Sequence, residues 1–410
     1  MSSVKAVVPN KKYVYMDYAA STPIDPRVLK SMIDVLRNFY GNTMSLHQKG
    51  MEAKELLESV RENFAKILKV SPVEIIFTAS STESNNFALK GIAMANMKAG
   101  NHIVTSSQEH SSINSICQWL EKHNFKVSKA DSTSSGLIDL DNLRSLITDE
   151  TILVSLIYVN NETGIIQPIE KVGEIIKEIR EDRKNRGIET PLYFHTDATQ
   201  AFGKFIIDIE KTNCDLLTAC SHKIYGPKGA AMLYIKKGTK IEPLLNGGGH
   251  EYGLRSSTVN VPAIFAFFKA FELCNTLMKK DYKKLSILSD KILKELPKLL
   301  SGVYFNVPKD LRIPNTINVR FDYIEGESLV YLLDNDRIGV STGSACASSY
   351  LKASGTLLSM GLKPEEASGS IRISLGRFTT KEEVNYLLKT LPKVVEQLRK
   401  VSPFKKNTKC

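Results

Sequence analysis

The sequence lacks the patterns that mark secreted, membrane-spanning and zinc-binding proteins. Its six cysteines form no Cys-x-x-Cys pair and show no regular spacing, so they indicate neither a structural zinc site nor a disulfide framework. The longest apolar runs, such as residues 151–159, are far shorter than the ~20 residues of a membrane helix. Residues 1–12 contain no apolar core of signal-peptide length. We therefore expect a cytoplasmic protein with no membrane partner and no intrinsic metal ion.

The sequence also lacks a concentrated charge of one sign. Lysine and arginine number 55 against 44 aspartates and glutamates, for a net charge of +11. The excess is spread along the chain, and no long basic run precedes the short tail with Lys405, Lys406 and Lys409. This distribution does not favour direct binding of nucleic acid. With 410 residues, 42% of them hydrophobic, the chain is long enough for two domains or one large α/β unit.

Short apolar runs alternate with helical patterns over the first two thirds of the chain. Helices are predicted from Pro26, which follows the capping residue Asp25, and over residues 53–68, where apolar side chains recur at helical spacing. Nearly continuous apolar strands with helices between them are typical of a mainly parallel sheet, whose site lies at the carboxyl ends of the strands. The predicted strands are residues 74–78, 102–105, 151–159, 191–196, 215–220 and 231–235.

The pattern changes near residue 262. Helices rich in lysine and leucine follow, and then strand candidates at residues 315–321 and 371–375. We predict an α/β protein with a large domain over residues 15–262 and a smaller α+β domain over residues 263–403. Residues 404–410 form a tail, and the first residues of the chain are expected to pack on the smaller domain.

Polar residues follow several predicted strands, where a parallel-sheet enzyme keeps its site. Ser81 and Thr82 stand between a strand and a helix, and backbone N–H groups and hydroxyls there can hold a phosphate. Helix capping explains the same residues. Asp197 ends a buried strand, so its carboxylate needs a partner. A protonated pyridine nitrogen of a cofactor, a helix N-terminus and a structural salt bridge all satisfy that need.

Lys223 and Cys346 are the candidates for covalent chemistry. Lys223 follows a buried strand and precedes several glycines, a setting in which a lysine can form a Schiff base. A solvated lysine at a strand end has the same pattern. Cys346 lies among small and polar residues, whereas the other five cysteines lie in apolar segments or in the tail. That setting suits a nucleophile, although a free thiol is more often an inert packed group.

Taken together, a set of motifs resembles the cysteine desulfurases, which are pyridoxal-phosphate enzymes of the class V aminotransferase family. Their order and spacing match from about residue 15 to residue 403, nearly the whole chain. The resemblance implies a fold-type I transferase and a homodimer whose sites use both subunits. The motifs are DYAA at 17–20, TESNN at 82–86, EH at 109–110, NNETG at 160–164, HTDATQ at 195–200, SHKIYGPKG at 221–229, GGGHE at 247–251, RSST at 255–258, GSAC at 343–346 and RIS at 372–374.

The resemblance implies a role for each matching residue. Lys223 would form the Schiff base with pyridoxal 5'-phosphate, Asp197 would pair with its pyridine nitrogen, and His110 would stack on its ring and serve in catalysis. The remaining implied contacts are Asn161 and Gln200 at the ring edge, and Ser81, Thr82, Ser221 and His222 at the phosphate, joined there by Thr258 of the other subunit.

The same resemblance implies conversion of L-cysteine to L-alanine. Arg372 would receive the substrate carboxylate with Asn161 nearby, Lys223 would move the α-proton, and Cys346 would take the sulfur as a persulfide. The long stretch between Cys346 and Arg372 resembles the group that serves iron–sulfur cluster assembly. The implied partners are therefore a cluster scaffold or another sulfur acceptor, with tRNA thiolation as a second route and Cys346 as a transient cluster ligand shared with the scaffold.

The chain departs from the family pattern at a few positions, none of which removes a chemical group. Ser80 and Ser81 replace a Gly-Ala pair, Thr43 stands where Gly-Asn-Pro is common after Tyr40, and Ser257 replaces a Gly before Thr258. The tail after residue 403 is shorter than in relatives that use it to bind the scaffold. Two other readings stay open from the residues: a selenocysteine lyase or transaminase of the same family, and an inactive relative that acts as a scaffold.

Overall fold

A seven-stranded sheet forms the centre of the protein. The computed structural model describes residues 13–342 and 353–403. The strands of this sheet are β2 (Ile75–Thr78), β3 (His102–Ser106), β4 (Lys126–Ala130), β5 (Thr151–Ile157), β6 (Tyr193–Asp197), β7 (Leu216–Cys220) and β8 (Ala231–Ile235). Their order in the sheet is β2-β8-β7-β6-β5-β3-β4. Only β8 runs antiparallel to its neighbours, so the other six strands all point the same way.

The central strands of this sheet are buried along their full length, because helices cover both faces and leave no room for alternating polar side chains. All six strands predicted from apolar runs are present, and the mainly parallel α/β class is confirmed. The edge strand β4 was not predicted. Its sequence, KVSKA, has only one fully buried residue, so it has no apolar run to signal it.

Helices cover the sheet and join its strands. Asp25 begins α1 as predicted, since its side chain accepts a hydrogen bond from the Arg27 backbone nitrogen at 3.0 Å and Pro26 occupies the first turn. The second predicted helix starts five residues earlier than expected, at Gln48. The helices up to residue 212 are α1 (Pro26–Asn38), α2 (Gln48–Leu68), α3 (Ser81–Asn96), α4 (Ser111–Glu121), α5 (Leu140–Leu146), α6 (Ile169–Asn185) and α7 (Ile209–Thr212).

A second, smaller sheet follows the long helix α8 (Val261–Leu299). Its three antiparallel strands have the order β12-β10-β9, and a separate two-residue strand β1 pairs in parallel with β11. The strands are β1 (Val14–Tyr15), β9 (Val303–Phe305), β10 (Thr316–Phe321), β11 (Ile338–Gly339) and β12 (Ser370–Ser374). The helices are α9 (Gly326–Asn335), α10 (Gly355–Ser359), α11 (Pro364–Ser368) and α12 (Lys381–Val401).

Helix α8 belongs to two hydrophobic cores. Its first half, with Phe267 and Phe271, packs in the core of the large sheet, whereas its second half, with Leu288 and Ile292, packs in the core of the small sheet. Of the helices in residues 13–342 and 353–403, only α8 is long and apolar enough to cross a membrane, and its apolar face lies in these two cores. The domain boundary at residue 262 stays a prediction.

Candidate active site

The residues predicted to bind a cofactor gather at one edge of the large sheet. Strands β2, β3, β5, β6 and β7 are parallel, so their carboxyl ends meet at this edge. Ser81 follows β2, His110 follows β3, Asn161 follows β5, Asp197 ends β6 and Lys223 lies in the turn after β7. Topology therefore brings together side chains that are spread over more than 140 residues of sequence.

Asp197 is buried and held by two neutral donors. Its Oδ2 accepts a hydrogen bond from Asn85 Nδ2 at 2.8 Å, and its Oδ1 accepts from the Thr199 backbone nitrogen at 3.0 Å. These bonds fix the carboxylate without neutralising its charge. A cationic ring nitrogen is a fitting partner for such a group.

His110 is connected to the same carboxylate. It caps α4, and its Nδ1 accepts from the Ser112 backbone nitrogen at 3.1 Å and from Ser112 Oγ at 2.8 Å. Ser112 Oγ in turn accepts from Asn85 Nδ2 at 3.0 Å, which also donates to Asp197. Burial lowers the pKa of His110. The ring is therefore a neutral imidazole that carries its proton on Nε2.

Lys223 reaches across the sheet edge to the segment that follows β1. Its Nζ donates to the Ala19 carbonyl at 2.8 Å and to the Ala20 carbonyl at 2.6 Å. Gln200 Nε2 donates to the same Ala19 carbonyl at 2.8 Å. The DYAA motif thus supplies backbone acceptors that orient the amine, a role that its composition alone did not reveal.

Arg372 comes from the small sheet and completes the site from the opposite side. Its Nη1 donates to the Asn161 carbonyl at 2.7 Å, and its Nη2 forms an ion pair with Asp17 Oδ1 at 2.7 Å. Its Nε is buried without a hydrogen-bond partner. The guanidinium therefore has one N–H group available for a further acceptor, and it lies beside the backbone of Asn161, which is a predicted cofactor contact. The Asp17 pairing was not predicted.

The predicted phosphate site suits an anion. Ser221 Oγ is buried without a hydrogen-bond partner, and a side chain in place of Gly226 would put its Cβ 2.0 Å from that hydroxyl. Burial, followed by the charge of Lys223, lowers the pKa of His222 to about 4, so its ring is a neutral donor. The N-terminus of α3, where Ser81 and Thr82 lie, adds free backbone N–H groups. These features fit a phosphate group.

Two predicted residues are not joined to this cluster by any described contact. Thr258 is exposed, in line with a role that involves another subunit. Cys346 lies in residues 343–352, outside the described residues. The residues on either side of that segment are held near the site: Ser341 pairs with Arg372 through the backbone, and Ser354 Oγ donates to Glu162.

Within residues 13–342 and 353–403, no group of three or more His, Cys, Asp and Glu side chains is arranged to hold a metal ion. Four cysteines in these ranges, Cys117, Cys214, Cys220 and Cys274, are buried free thiols. Burial raises the pKa of each of them. These four therefore stay protonated at neutral pH and are poor nucleophiles.

Known proteins resemble this chain over nearly its whole length. The chain is 42% identical over 399 residues to cysteine desulfurase IscS of Dictyoglomus turgidum, covering 97% of this chain and 98% of the relative. A solved NifS-like protein superposes with a TM-score of 0.87 at 37% identity, covering 94% of this chain and all of the other. A structure described as SspA in complex with cysteine has a TM-score of 0.77 at 32% identity, covering 89% and 99%.

The family model for aminotransferase class V matches residues 14–387. That range includes every described residue to which the motifs assign a role. The family predicted from the motifs is thus confirmed, while the role of each residue stays a prediction. The chain belongs to the class V aminotransferase family and, within it, to the cysteine desulfurases.

Proposed function

We propose that this protein converts L-cysteine to L-alanine and holds the released sulfur as a persulfide on Cys346. The observation that supports this best is the convergence of Lys223, Asp197 and Arg372 on one sheet edge. An amine, a buried carboxylate and a guanidinium are the groups needed to hold an aldehyde cofactor, its ring nitrogen and an amino-acid carboxylate.

The cofactor is pyridoxal 5'-phosphate, which when bound supplies an electron sink that weakens the bonds at the substrate's α-carbon. Lys223 would hold it covalently, Asp197 would pair with its ring nitrogen and His110 would lie against its ring. Asn161 and Gln200 would contact the ring edge. Its phosphate would be held by Ser81, Thr82, Ser221 and His222, with Thr258 of the partner subunit.

The protein's own groups account for binding and proton movement. Arg372 would receive the substrate carboxylate, because a guanidinium binds a carboxylate through two parallel hydrogen bonds. Lys223 Nζ would take the α-proton and return a proton to the product carbon. The backbone carbonyls of Ala19 and Ala20 keep that amine oriented toward the sheet edge.

Cys346 would act as the nucleophile, in its thiolate form. Its sulfur attacks the sulfur of the substrate, so a new S–S bond forms as the substrate's Cβ–S bond breaks. The electron pair of the broken bond stays with the carbon skeleton, which is protonated and leaves as alanine. The persulfide sulfur then passes to an acceptor, which is either a scaffold for iron–sulfur clusters or a tRNA-thiolation relay. With the scaffold, Cys346 would also serve as a transient ligand of the cluster.

A second copy of this chain is the proposed partner in a homodimer. Large apolar side chains are exposed on α1 and on the segment that leads into α2, most of all Leu46 at 94% and Tyr40 at 72%. Met44 and Met51 are also more than half exposed. Contiguous exposed apolar surface marks interaction sites.

The cytoplasm is the proposed location, because buried free thiols suit a reducing compartment.

The test is release of alanine and sulfide from L-cysteine with a thiol reductant, for wild type and for Cys346→Ser. We expect equal amounts of both products from wild type, and cofactor absorption without turnover in the variant. Cys117→Ala, at a buried thiol of α4, is the control and should keep its activity. Desulfuration by Cys346→Ser would reject the persulfide route. A wild type that binds the cofactor but acts only on selenocysteine or on keto acids would favour a lyase or a transaminase.

A further inference from the structure

Lys204 lies beside the site but has no part in the chemistry described above. It follows Gln200 by four residues in the turn after β6, and its Nζ donates to Gln200 Oε1 at 2.6 Å. Gln200 Nε2 donates to the Ala19 carbonyl, which also accepts from Lys223 Nζ at 2.8 Å. An unbroken chain of hydrogen bonds therefore connects Lys204 with the amine that would carry the cofactor.

The two contacts of Gln200 determine which way its amide points. The Ala19 carbonyl only accepts, so the Gln200 amide nitrogen must face it, and the amide oxygen is then left to accept from Lys204 Nζ. Gln200 itself is buried. Its nitrogen carries a second N–H, which these contacts leave available at the sheet edge.

The Lys204 amine makes its bond to Gln200 while carrying less positive charge than an ordinary lysine. Burial, followed by the charge of Lys223, lowers the pKa of Lys204 to about 7. A lysine that serves mainly as a surface charge would keep its ordinary, much higher pKa. The energetic cost of enclosing the amine is offset by the bond to Gln200.

We propose that Lys204 is a positioning residue that holds the Gln200 amide so that its second N–H faces the cofactor's ring edge. The proposal rests on the function proposed above, because it needs pyridoxal 5'-phosphate on Lys223. A donor at the ring edge stabilises negative charge on the ring-edge oxygen. It therefore lowers the pH at which the cofactor's visible absorption band changes.

The experiment measures that pH midpoint in substrate-free holoenzyme for wild type, Lys204→Met, Gln200→Ala and the double variant. We expect each single variant to raise the midpoint by about 0.5 to 1 unit, the effect of losing one hydrogen bond to a charged group. The double variant should match Gln200→Ala alone, because Lys204 acts only through Gln200.

Two outcomes would overturn the proposal: an unchanged midpoint in Lys204→Met, or a further rise when Lys204→Met is added to Gln200→Ala. The latter would mean that Lys204 acts directly on the charge of Lys223. If Lys204→Met fails to fold, Lys204→Gln replaces it, because its shorter donor falls short of Gln200 and should raise the midpoint similarly. A wild type that forms no cofactor band at all would reject the proposed function, and the role of Lys204 with it.

Discussion

The two sides of the site are built differently. The cofactor side, as proposed above, comes from the large sheet, where Asp197, Asn85 and His110 are joined by hydrogen bonds. The proposed substrate side comes from the small sheet, where Arg372 pairs with Asp17 and also donates to the Asn161 carbonyl, which follows strand β5 of the large sheet. One side is thus fixed by the strand order of a single sheet, and the other depends on how two cores meet. We therefore expect a rigid cofactor cradle and a separately assembled carboxylate receptor.

Asp197→Asn tests the cofactor side and should have the largest effect. The amide keeps the shape of the carboxylate but loses the charge that would hold the ring nitrogen protonated, so we expect kcat to fall by about 10³-fold. Turnover of L-cysteine and the absorption spectrum of the bound cofactor are the measurements.

Asp215→Asn is the matched control for that variant. Asp215 is a buried carboxylate at the opposite end of the same sheet, where it pairs with Arg180 and accepts from the Phe194 backbone nitrogen at 2.8 Å. Its replacement should lower the free energy of unfolding and leave kcat near wild type. An equal loss of kcat in both variants would show that sheet stability, and not the charge at the edge, determines turnover.

Arg372→Lys tests the substrate side and should have a smaller effect. A lysine keeps the charge but cannot make two parallel bonds to a carboxylate. The loss of one charged hydrogen bond predicts a rise in the KM for L-cysteine of about 10- to 100-fold, with kcat changed less. Steady-state kinetics separates the two constants.

Arg377→Lys is the matched control for Arg372→Lys. Arg377 forms ion pairs with Asp25 at 3.0 Å and Asp281 at 2.8 Å, and it stacks over Tyr225. It links the two cores without contacting the proposed substrate position, so stability should fall while KM stays near wild type. A large rise of KM in Arg377→Lys would mean that the meeting of the cores, and not Arg372 itself, sets substrate affinity.

The same contrast explains what could be predicted from the sequence. Strands such as β5 and β7 are continuous apolar runs, and the residues at their ends fall at the site because parallel strands share one edge. The pairing of Asp17 with Arg372 has no local pattern, because it depends on two segments meeting across the fold. Lys204 was equally hidden, since in sequence it is one more loop lysine. Its function becomes visible only when its neighbours are known.

The last prediction concerns the acid stability of the cofactor side. His195 is fully buried in β6, between Ser155 and Thr218, and burial lowers its pKa from 6.5 to about 4. The unfolded chain binds a proton at this position below pH 6.5, whereas the folded protein does not until about pH 4. His195 therefore contributes to stability above pH 6.5, and on the order of 3 kcal/mol of that contribution is lost as the pH falls from 6.5 to 4.

His195→Gln should make the free energy of unfolding less dependent on pH in that window, although His222, whose pKa also lies near 4, leaves part of the slope. Urea unfolding at several pH values between 7 and 4 measures the change, and His123→Gln, at an exposed ring on the surface, is the control that should keep the wild-type slope. An unaltered slope in His195→Gln would mean that the interior of the large sheet admits the proton and relaxes around it. The cofactor side would then be as adaptable as the substrate side, and the contrast between a rigid cradle and an assembled receptor would fail.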